Sequence, residues 1–495
     1  MTPNDDVRGL RSRGVVLSRV LPQTRFFACD DIVARSVTDD AARCRKGDVF
    51  VARLTTDGDG HDEVAEAVAR GAAGVIAERM VPTAGTPLCV VPDTDWAYAR
   101  LAHALAGDPA REMRVIAITG TSGKTTTAWL TAAVLAEAGL RVGVLSDVGC
   151  LDADATTPEP CDYADPRLFA QWLARLAEAG SSHVVVEVSS RMLASQALAG
   201  VDCDTVAVTN IGSAHLDEHG TPRAYRRIKE RILTALADGG CLVADGDGGL
   251  DGLLARAAGL DRDVSCLTAG LTAACDVRAR AIERSLHGQT FLLSVGGQSL
   301  PVSVDAPVTS FARNALTAAA IGLRHGLPLE RIVAGLEAAG SVAGRMERLD
   351  RGQDVPVFID APSSGHALRA TLRSLRGLTR GRLAVIADER TVDVVGRDAF
   401  EQAVFRWCDE SVVAPPTMMD DEELHPGQAD LAAYAAIDRL LSRSGARDCV
   451  LVIGDPATAG PRPGGPVDAA SLPRVVDGWL QLAHPPRPVG RHRAA

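Results

Sequence analysis

Lysine is nearly missing from this chain. It occurs only as Lys46, Lys124 and Lys229, and arginine supplies the other 49 of 52 basic residues. Where arginine is so strongly favoured, a surviving lysine either survives by chance or marks a place that needs a compact amine able to react, which a guanidinium cannot replace. Closely paired cysteines are missing too. The 11 cysteines are scattered with no C-x-x-C pair, which removes a zinc ribbon and gives no disulfide framework. A reduced, cytoplasmic setting is expected. No apolar run approaches the roughly 20 residues that span a bilayer, and the N-terminus carries no charged-then-apolar leader, so no membrane association is expected. Basic charge is not in surplus: the net charge of −11 argues against general nucleic-acid or anionic-membrane binding. Internal repeats and long low-complexity tracts are likewise lacking.

What the chain does have is length and apolar material. Its 495 residues suit about three domains, and a hydrophobic content of 46% is ample for their cores. One stretch organises the rest. In Val115-Ile-Ala-Ile-Thr-Gly120-Thr-Ser-Gly123-Lys124-Thr125-Thr-Thr127, followed by Ala128 to Gly139, a short apolar run reads as a buried strand, a Gly-rich turn follows, and then an amphipathic helix that Gly139 can end. Such a turn aims backbone N–H groups and a helix N-terminus at one spot, which suits a phosphate. Lys124 would lie along the β/γ-phosphates and the Thr125 hydroxyl would ligate Mg²⁺. The strict Walker pattern wants Gly at position 118, where this chain has Ile.

Taken in order, residues 1–24 read as an Arg-rich flexible extension, 25–107 as a small α/β domain, and 108–343 as the phosphate-loop domain. Residues 344–460 read as a Rossmann-like unit of buried strands alternating with helices. A mostly flexible tail, 461–495, carries one short helix near Leu472–Ala483. The fold class is α/β with mainly parallel sheets. Within the second unit, Ser182-His-Val-Val-Val-Glu187 is a strand that rises into a carboxylate and two serines, and Thr205-Val-Ala-Val-Thr-Asn210 leads into Ile211 to His215. Polar groups at the ends of apolar parallel strands are where such folds place ligand sites. Glu187 at a strand end can be merely solvated or a metal ligand. Further on, Thr221-Pro222 caps a helix running to Leu236, on which Tyr225, Lys229, Ile232 and Leu236 share one face. A rare lysine on an apolar stripe either snorkels past it or shifts its pKa, and a neutral amine can take up CO₂ as a carbamate. The stretch 240–300, with scattered Cys and Gly, reads as a linking region.

Together these stretches resemble the Mur ligase family, most closely its MurE type. Gly120-Thr-Ser-Gly-Lys-Thr-Thr-Thr127, Thr156-Thr-Pro-Glu, Glu187-Val-Ser-Ser190, Thr209-Asn-Ile, His215-Leu-Asp-Glu-His219 and Arg345-Met-Glu347 follow in the family's order and spacing, and the likeness spans about 30 to 455. It implies three α/β domains and an ATP-dependent ligase that joins a carboxylate to an amine through an acyl phosphate. By matched position, ATP would be held by Gly120, Thr121, Ser122, Gly123, Lys124, Thr125 and Thr126, with Asn210, Asn314 facing adenine, Arg345 and Asp360. Thr125, Glu187, His215 and a carbamylated Lys229 would hold Mg²⁺, and Thr156, Thr157 and Ser189 would line the substrate path. Lys124, Glu187, His215 and Lys229 are the catalytic set so implied. The partners are then small-molecule acid and amine substrates, with no nucleic acid, no membrane, and a monomer or weak oligomer.

Departures cluster at substrate-recognition positions. Asp40-Ala-Ala stands where the family writes D-S-R, Arg191 where it has His, and Ala197 where it has Arg. Asp360-Ala-Pro-Ser-Ser-Gly365 replaces D-Y-A-H-T-P, Ala387-Asp-Glu-Arg390 replaces G-x-G-G-x-R-D, Ala414-Pro-Pro-Thr417 replaces D-N-P-R, and Gly454-Asp-Pro-Ala-Thr458 replaces G-K-G-H-E. The expectation is an amide ligase moved to a non-peptidoglycan substrate pair in specialised metabolism. Two alternatives stay open: a UDP-N-acetylmuramoyl-tripeptide synthase, and an ATP-binding but catalytically weak subunit or scaffold.

Overall fold

The computed structural model describes residues 14–55, 58–152, 155–157, 163–212, 214, 216–414, 435, 437–454 and 472–483. The expectations for the first 13 residues, for 461–471 and 484–495, for Ala414-Pro-Pro-Thr417 beyond its first residue, and for positions 455–458 lie outside the described residues.

Three large sheets carry the chain, in α/β architecture. The first has five strands, with Arg25–Phe27 antiparallel at one edge and Leu88–Val90, Gly74–Ala77, Val49–Val51 and Val37–Thr38 parallel beyond it. The third also has five, four of them parallel, with Arg345–Leu349 antiparallel to Val357–Asp360 at its edge. Between them in sequence lies an 11-stranded sheet whose middle is parallel. There Arg114–Thr119 is flanked by His183–Glu187 on one side and Cys203–Val208 on the other.

Strand alternation explains how this central sheet is covered. Val115, Ala117, Val184 and Val186 face one apolar layer, with the helix Pro166–Glu178 and the segment 192–198. Ile116, Ile118, Val144 and Val185 face the other, with the helices Lys124–Glu137, Thr309–Arg324 and Leu329–Ala338. Successive side chains point to opposite faces, so a sheet covered on both sides needs continuous apolar runs. Each fully buried Val or Leu contributes about 1.5–3 kcal/mol over exposure, against about 0–1 kcal/mol for a surface ion pair. The two apolar layers therefore dominate. One of them continues without a break through Val342 and Met346 into Phe358 of the third sheet and Leu368 and Leu372 of the helix Gly365–Leu378 beside it.

Two expectations are corrected. The stretch 240–300 is no linker: Leu236–Asp245, Val264–Gly270, Val277–Ser285, Gly288–Val295 and Gln298–Val304 extend the central sheet to its edge. Val295 and Gln298 pair across Gly296 and Gly297, whose φ values are +52° and +89°. Two central residues with positive φ make the tight hairpin turn that suits strand twist. Only one face of this meander is buried, so its apolar runs are short. The helix expected to reach Leu236 instead stops at Glu230, tightens into a 3₁₀ turn over Arg231–Ala235, and gives way to a strand at Leu236. Tyr225, Lys229, Ile232 and Leu236 are nonetheless all buried.

His103 joins the first unit to the central one. Its Nε2 donates to the Ala197 carbonyl at 2.8 Å, and its ring meets Phe169 edge-on at 5.5 Å. Nδ1 is buried with no hydrogen-bond partner among the described residues, so a second proton has nowhere to go. Burial, opposed by the Ala197 bond, holds the imidazole down at about 4 instead of 6.5. As pH falls, the unfolded chain takes that proton first. The contribution to stability is complete above pH 6.5 and is lost on the way down to about 4, at up to ~1.4 kcal/mol per pH unit. His103→Gln should therefore flatten the fall of melting temperature over that range; an unchanged slope would contradict this assignment.

Candidate active site

The phosphate loop leaves the carboxyl end of Arg114–Thr119 and enters the helix at Lys124. Two glycines make its path possible. Gly123 has φ +83°, and a Cβ there would stand 2.4 Å from Asn314 Oδ1. At Gly120 a Cβ would stand 2.0 Å from Thr209 Oγ1. No larger residue fits either position without displacing Asn314 or the Thr209 hydroxyl that holds the loop.

That holding is extensive. Asn210 Oδ1 accepts from the Ser122 N–H at 3.1 Å, while Asn210 Nδ2 and Thr209 Oγ1 donate to the Ser122 carbonyl at 3.0 and 2.6 Å. Thr121 Oγ1 accepts from the Gly212 N–H at 2.8 Å and from the Tyr225 hydroxyl at 3.3 Å. From the third unit, the Ser363 hydroxyl donates to the Thr121 carbonyl at 3.1 Å. The loop is thus fixed from Thr209–Gly212, from the Tyr225 helix and from across the junction. Preorganised N–H donors of this kind need no reorganisation when charge arrives.

Glu187 ends the neighbouring parallel strand and is 2% exposed. Its Oε2 accepts from the Asp147 N–H at 3.1 Å. Oε1 accepts no hydrogen bond among the described residues, and the Lys124 ammonium stands 3.6 Å away. Burial and the Asp147 carboxylate push Glu187 up to about 7, with Lys124 and Arg345 pulling the other way. A buried carboxylate oxygen with no hydrogen bond is costly, and a hard cation is the ligand that satisfies it.

Lys229 is also 2% exposed. Its Nζ donates to Thr119 Oγ1 at 3.0 Å, and Thr119 in turn donates to the Val188 carbonyl at 2.7 Å. The amine lies 5.7 Å from the centre of the Tyr225 ring. Burial first, and the Lys124 charge second, hold it well below the usual lysine range, with Glu187 and Asp147 opposing. Both causes act in favour of the neutral amine, the form able to react.

The far wall comes from the third unit. Asp360 is buried, and its carboxylate accepts from the Met346 N–H at 3.2 Å and the Thr371 hydroxyl at 3.1 Å. Burial raises its pKa against the pull of Arg345. Arg345 donates to the Ala361 carbonyl at 3.1 Å. Between the walls lies a cavity of about 750 Å³, lined on one side by Lys124, Thr125, Glu187 and Asn314 and on the other by Arg345 and Asp360. That volume suits a nucleotide-sized ligand.

Other residues singled out in the sequence sit differently. His215 lies outside the described residues, as do the side chains of Thr156 and Thr157, whose backbone forms the strand Ala155–Thr157. Ser189 Oγ accepts from the Met192 N–H at 3.1 Å and caps a short helix. Ala197 is fully buried beneath His103, and Arg191 is paired with Glu218. No group of three or more His, Cys, Asp or Glu at metal-binding distance occurs among the described residues. Sequence reasoning passed over several cavity residues. Asp147 follows a buried strand as Glu187 does, and the same rule finds it. Arg313, held by Asp245 at 3.0 Å and Asp247 at 3.3 Å, left no signal, because its partners are 66 and more residues away in sequence.

A phosphate loop at the carboxyl edge of a parallel sheet, facing a third α/β unit across a nucleotide-sized cavity, is the design of a nucleotide-dependent ligase. Known proteins agree. Residues 118–322 match the Mur ligase middle domain. The chain is 31% identical over 423 residues to a UDP-N-acetylmuramyl-tripeptide synthetase of a Roseiflexus species, with 81% of each covered. It is 32% identical over 365 residues to a UDP-N-acetylmuramoyl-L-alanyl-D-glutamate–2,6-diaminopimelate ligase of Bacillus licheniformis, covering 71% of this chain and 72% of that one. A solved structure of a ligase with that latter name superposes with a TM-score of 0.65 at 20% identity, covering 89% of this chain and 93% of that one. The chain belongs to the Mur ligase family and is MurE-like within it. It is an ATP-dependent amide-forming ligase.

Proposed function

We propose that this ligase activates a small-molecule carboxylate as an acyl phosphate and joins it to an amine, with a substrate pair that differs from that of its named relatives. In this reading the phosphate loop from Gly120 to Thr126, with Lys124 along the β/γ-phosphates, holds ATP, and Asn210 keeps the loop in shape. Asn314, against Gly123, faces the base, while Arg345 and Asp360 reach the nucleotide from the third unit. A carboxylate oxygen of the acid attacks the γ-phosphorus and ADP leaves. The amine nitrogen then attacks the acyl carbon, phosphate leaves, and the nitrogen gives up a proton. Lys124 and Arg345 stabilise the charge that shifts between these oxygens.

The residues fit a magnesium ion, since Glu187 Oε1 is buried without a hydrogen bond among the described residues. Glu187, His215 and Lys229 would hold it, and Thr125 would hold another at the phosphates. Bound there, the ion neutralises charge on the transferring phosphoryl group. Lys229 would serve as a carbamate: its neutral amine adds to CO₂ and releases a proton, turning a cation into an anionic ligand. Thr156, Thr157 and Ser189 belong to the substrate path, and the setting is cytoplasmic.

A changed substrate pair is supported by the positions around this core. Ala197 offers no cation, and the Arg191 guanidinium is engaged by Glu218. The second reading is peptidoglycan tripeptide synthesis, favoured by the names of the relatives, which cover more than two thirds of both chains. Assay of ADP formation with UDP-N-acetylmuramoyl-L-alanyl-D-glutamate and diamino acids separates the two. Little or no turnover is expected; rapid turnover would replace the first reading with the second.

A further inference from the structure

Asp147 belongs to no motif named above, yet it lines the same cavity as Glu187. The strands Val142–Ser146 and His183–Glu187 run parallel, with Leu145 opposite Val186. Asp147 therefore emerges one step past the level of Glu187, at the same edge of the sheet. Its backbone N–H holds Glu187 Oε2 at 3.1 Å, and this leaves Oε1, buried and without a hydrogen bond among the described residues, as the oxygen available to a cation. We propose that Asp147 is an additional protein carboxylate at the divalent-cation position, so that this chain grips its ion between two carboxylates on adjacent strands.

A solvated strand end is the ordinary explanation of an exposed aspartate. Three observations tell against it. The residue lines the cavity that takes the phosphates. Two carboxylates side by side there would repel both the nucleotide and an incoming acid unless a cation stood between them. Moreover, one of the two has a buried oxygen that accepts no hydrogen bond among the described residues and has the Lys124 ammonium 3.6 Å away. Mg²⁺ and Mn²⁺ take carboxylate oxygens and are commonly bound through one or two of them together with phosphates. The added carboxylate makes the ion's site competent before nucleotide arrives.

The inference rests on the metal-dependent reading above, and its test separates the two. Mn²⁺ alone is titrated into the full-length protein, with the free ion followed by its electron paramagnetic resonance signal. Asp147→Asn and Asp147→Ser are expected to weaken Mn²⁺ binding by about 10-fold or more, the scale seen when even an outer-shell partner is lost. Glu187→Gln should weaken it at least as much. Binding within twofold of wild type in both Asp147 variants, with loss in Glu187→Gln, would overturn the role of Asp147 and leave the metal site standing. No Mn²⁺ binding by the wild-type protein would remove both, whereas retained binding of a fluorescent ADP analogue would still support the phosphate loop. Asp147 is exposed, so its variants should fold, and their melting curves check this.

Discussion

Lys229→Ala is expected to slow ADP formation by about 10²–10³-fold, the scale of removing one preorganised electrostatic group. The reason lies in what surrounds the amine. It is 2% exposed, donates to Thr119 at 3.0 Å, and sits beneath Tyr225. A protonated lysine has three N–H donors, and one acceptor is present among the described residues. Burial and the nearby Lys124 charge both favour the neutral form. That is the form which adds CO₂. Short carboxylates such as formate and acetate should restore part of the activity of Lys229→Ala, because they can place an oxygen anion where the carbamate stood. Lys229→Arg should be inactive and not rescued. A ¹³C resonance acquired from labelled bicarbonate and absent in Lys229→Ala would report the carbamate directly. An active Lys229→Arg enzyme would contradict this role, since a guanidinium forms no carbamate.

Lys124→Ala should cost about 10³-fold or more in turnover, and Lys124→Arg should recover little of it. Among 52 basic residues this is one of three lysines, and its compact ammonium fits between the phosphate loop and Glu187 at 3.6 Å. A planar guanidinium has a different shape and direction of donors. The substitution reaches further than the phosphates. Lys124 pulls Glu187 down and pushes Lys229 down. Without it, Glu187 protonates at higher pH and the Lys229 amine is more often charged. The bicarbonate-derived resonance at Lys229 should therefore weaken in Lys124→Ala as well, although the two residues lie 105 positions apart in sequence. An unchanged resonance would show that the two sites are independent.

Much of this was legible in the sequence, and the reasons are local. A buried strand, glycines at 120 and 123, and a helix beginning at Lys124 are enough to specify a phosphate loop, because chain geometry and side-chain chemistry act within ten residues. The scarcity of lysine singles out Lys229 without any knowledge of the fold. The edge of the central sheet was not legible. Its strands from Val277 to Val304 bury only one face, and their turn glycines look like linker glycines until the pairing of Val295 with Gln298 is seen. The end of the lysine helix was missed for another reason. Helical spacing continues through a 3₁₀ turn with little change in which residues are buried, so periodicity alone does not mark the boundary. Contacts across the junction, such as Ser363 to Thr121 and Arg345 to Ala361, depend on how whole units pack and leave no pattern in either segment.

In the proposed reaction ATP activates a carboxylate as an acyl phosphate. Carboxylic acids labelled with ¹⁸O in the carboxylate, with UDP-N-acetylmuramoyl-L-alanyl-D-glutamate among them, can be incubated with the protein, ATP, Mg²⁺ and a panel of amines. For the acid that is turned over, ¹⁸O should appear in the released phosphate in step with ADP and amide. Amide formed with unlabelled phosphate, or no ADP from any pairing of acid and amine, would contradict it.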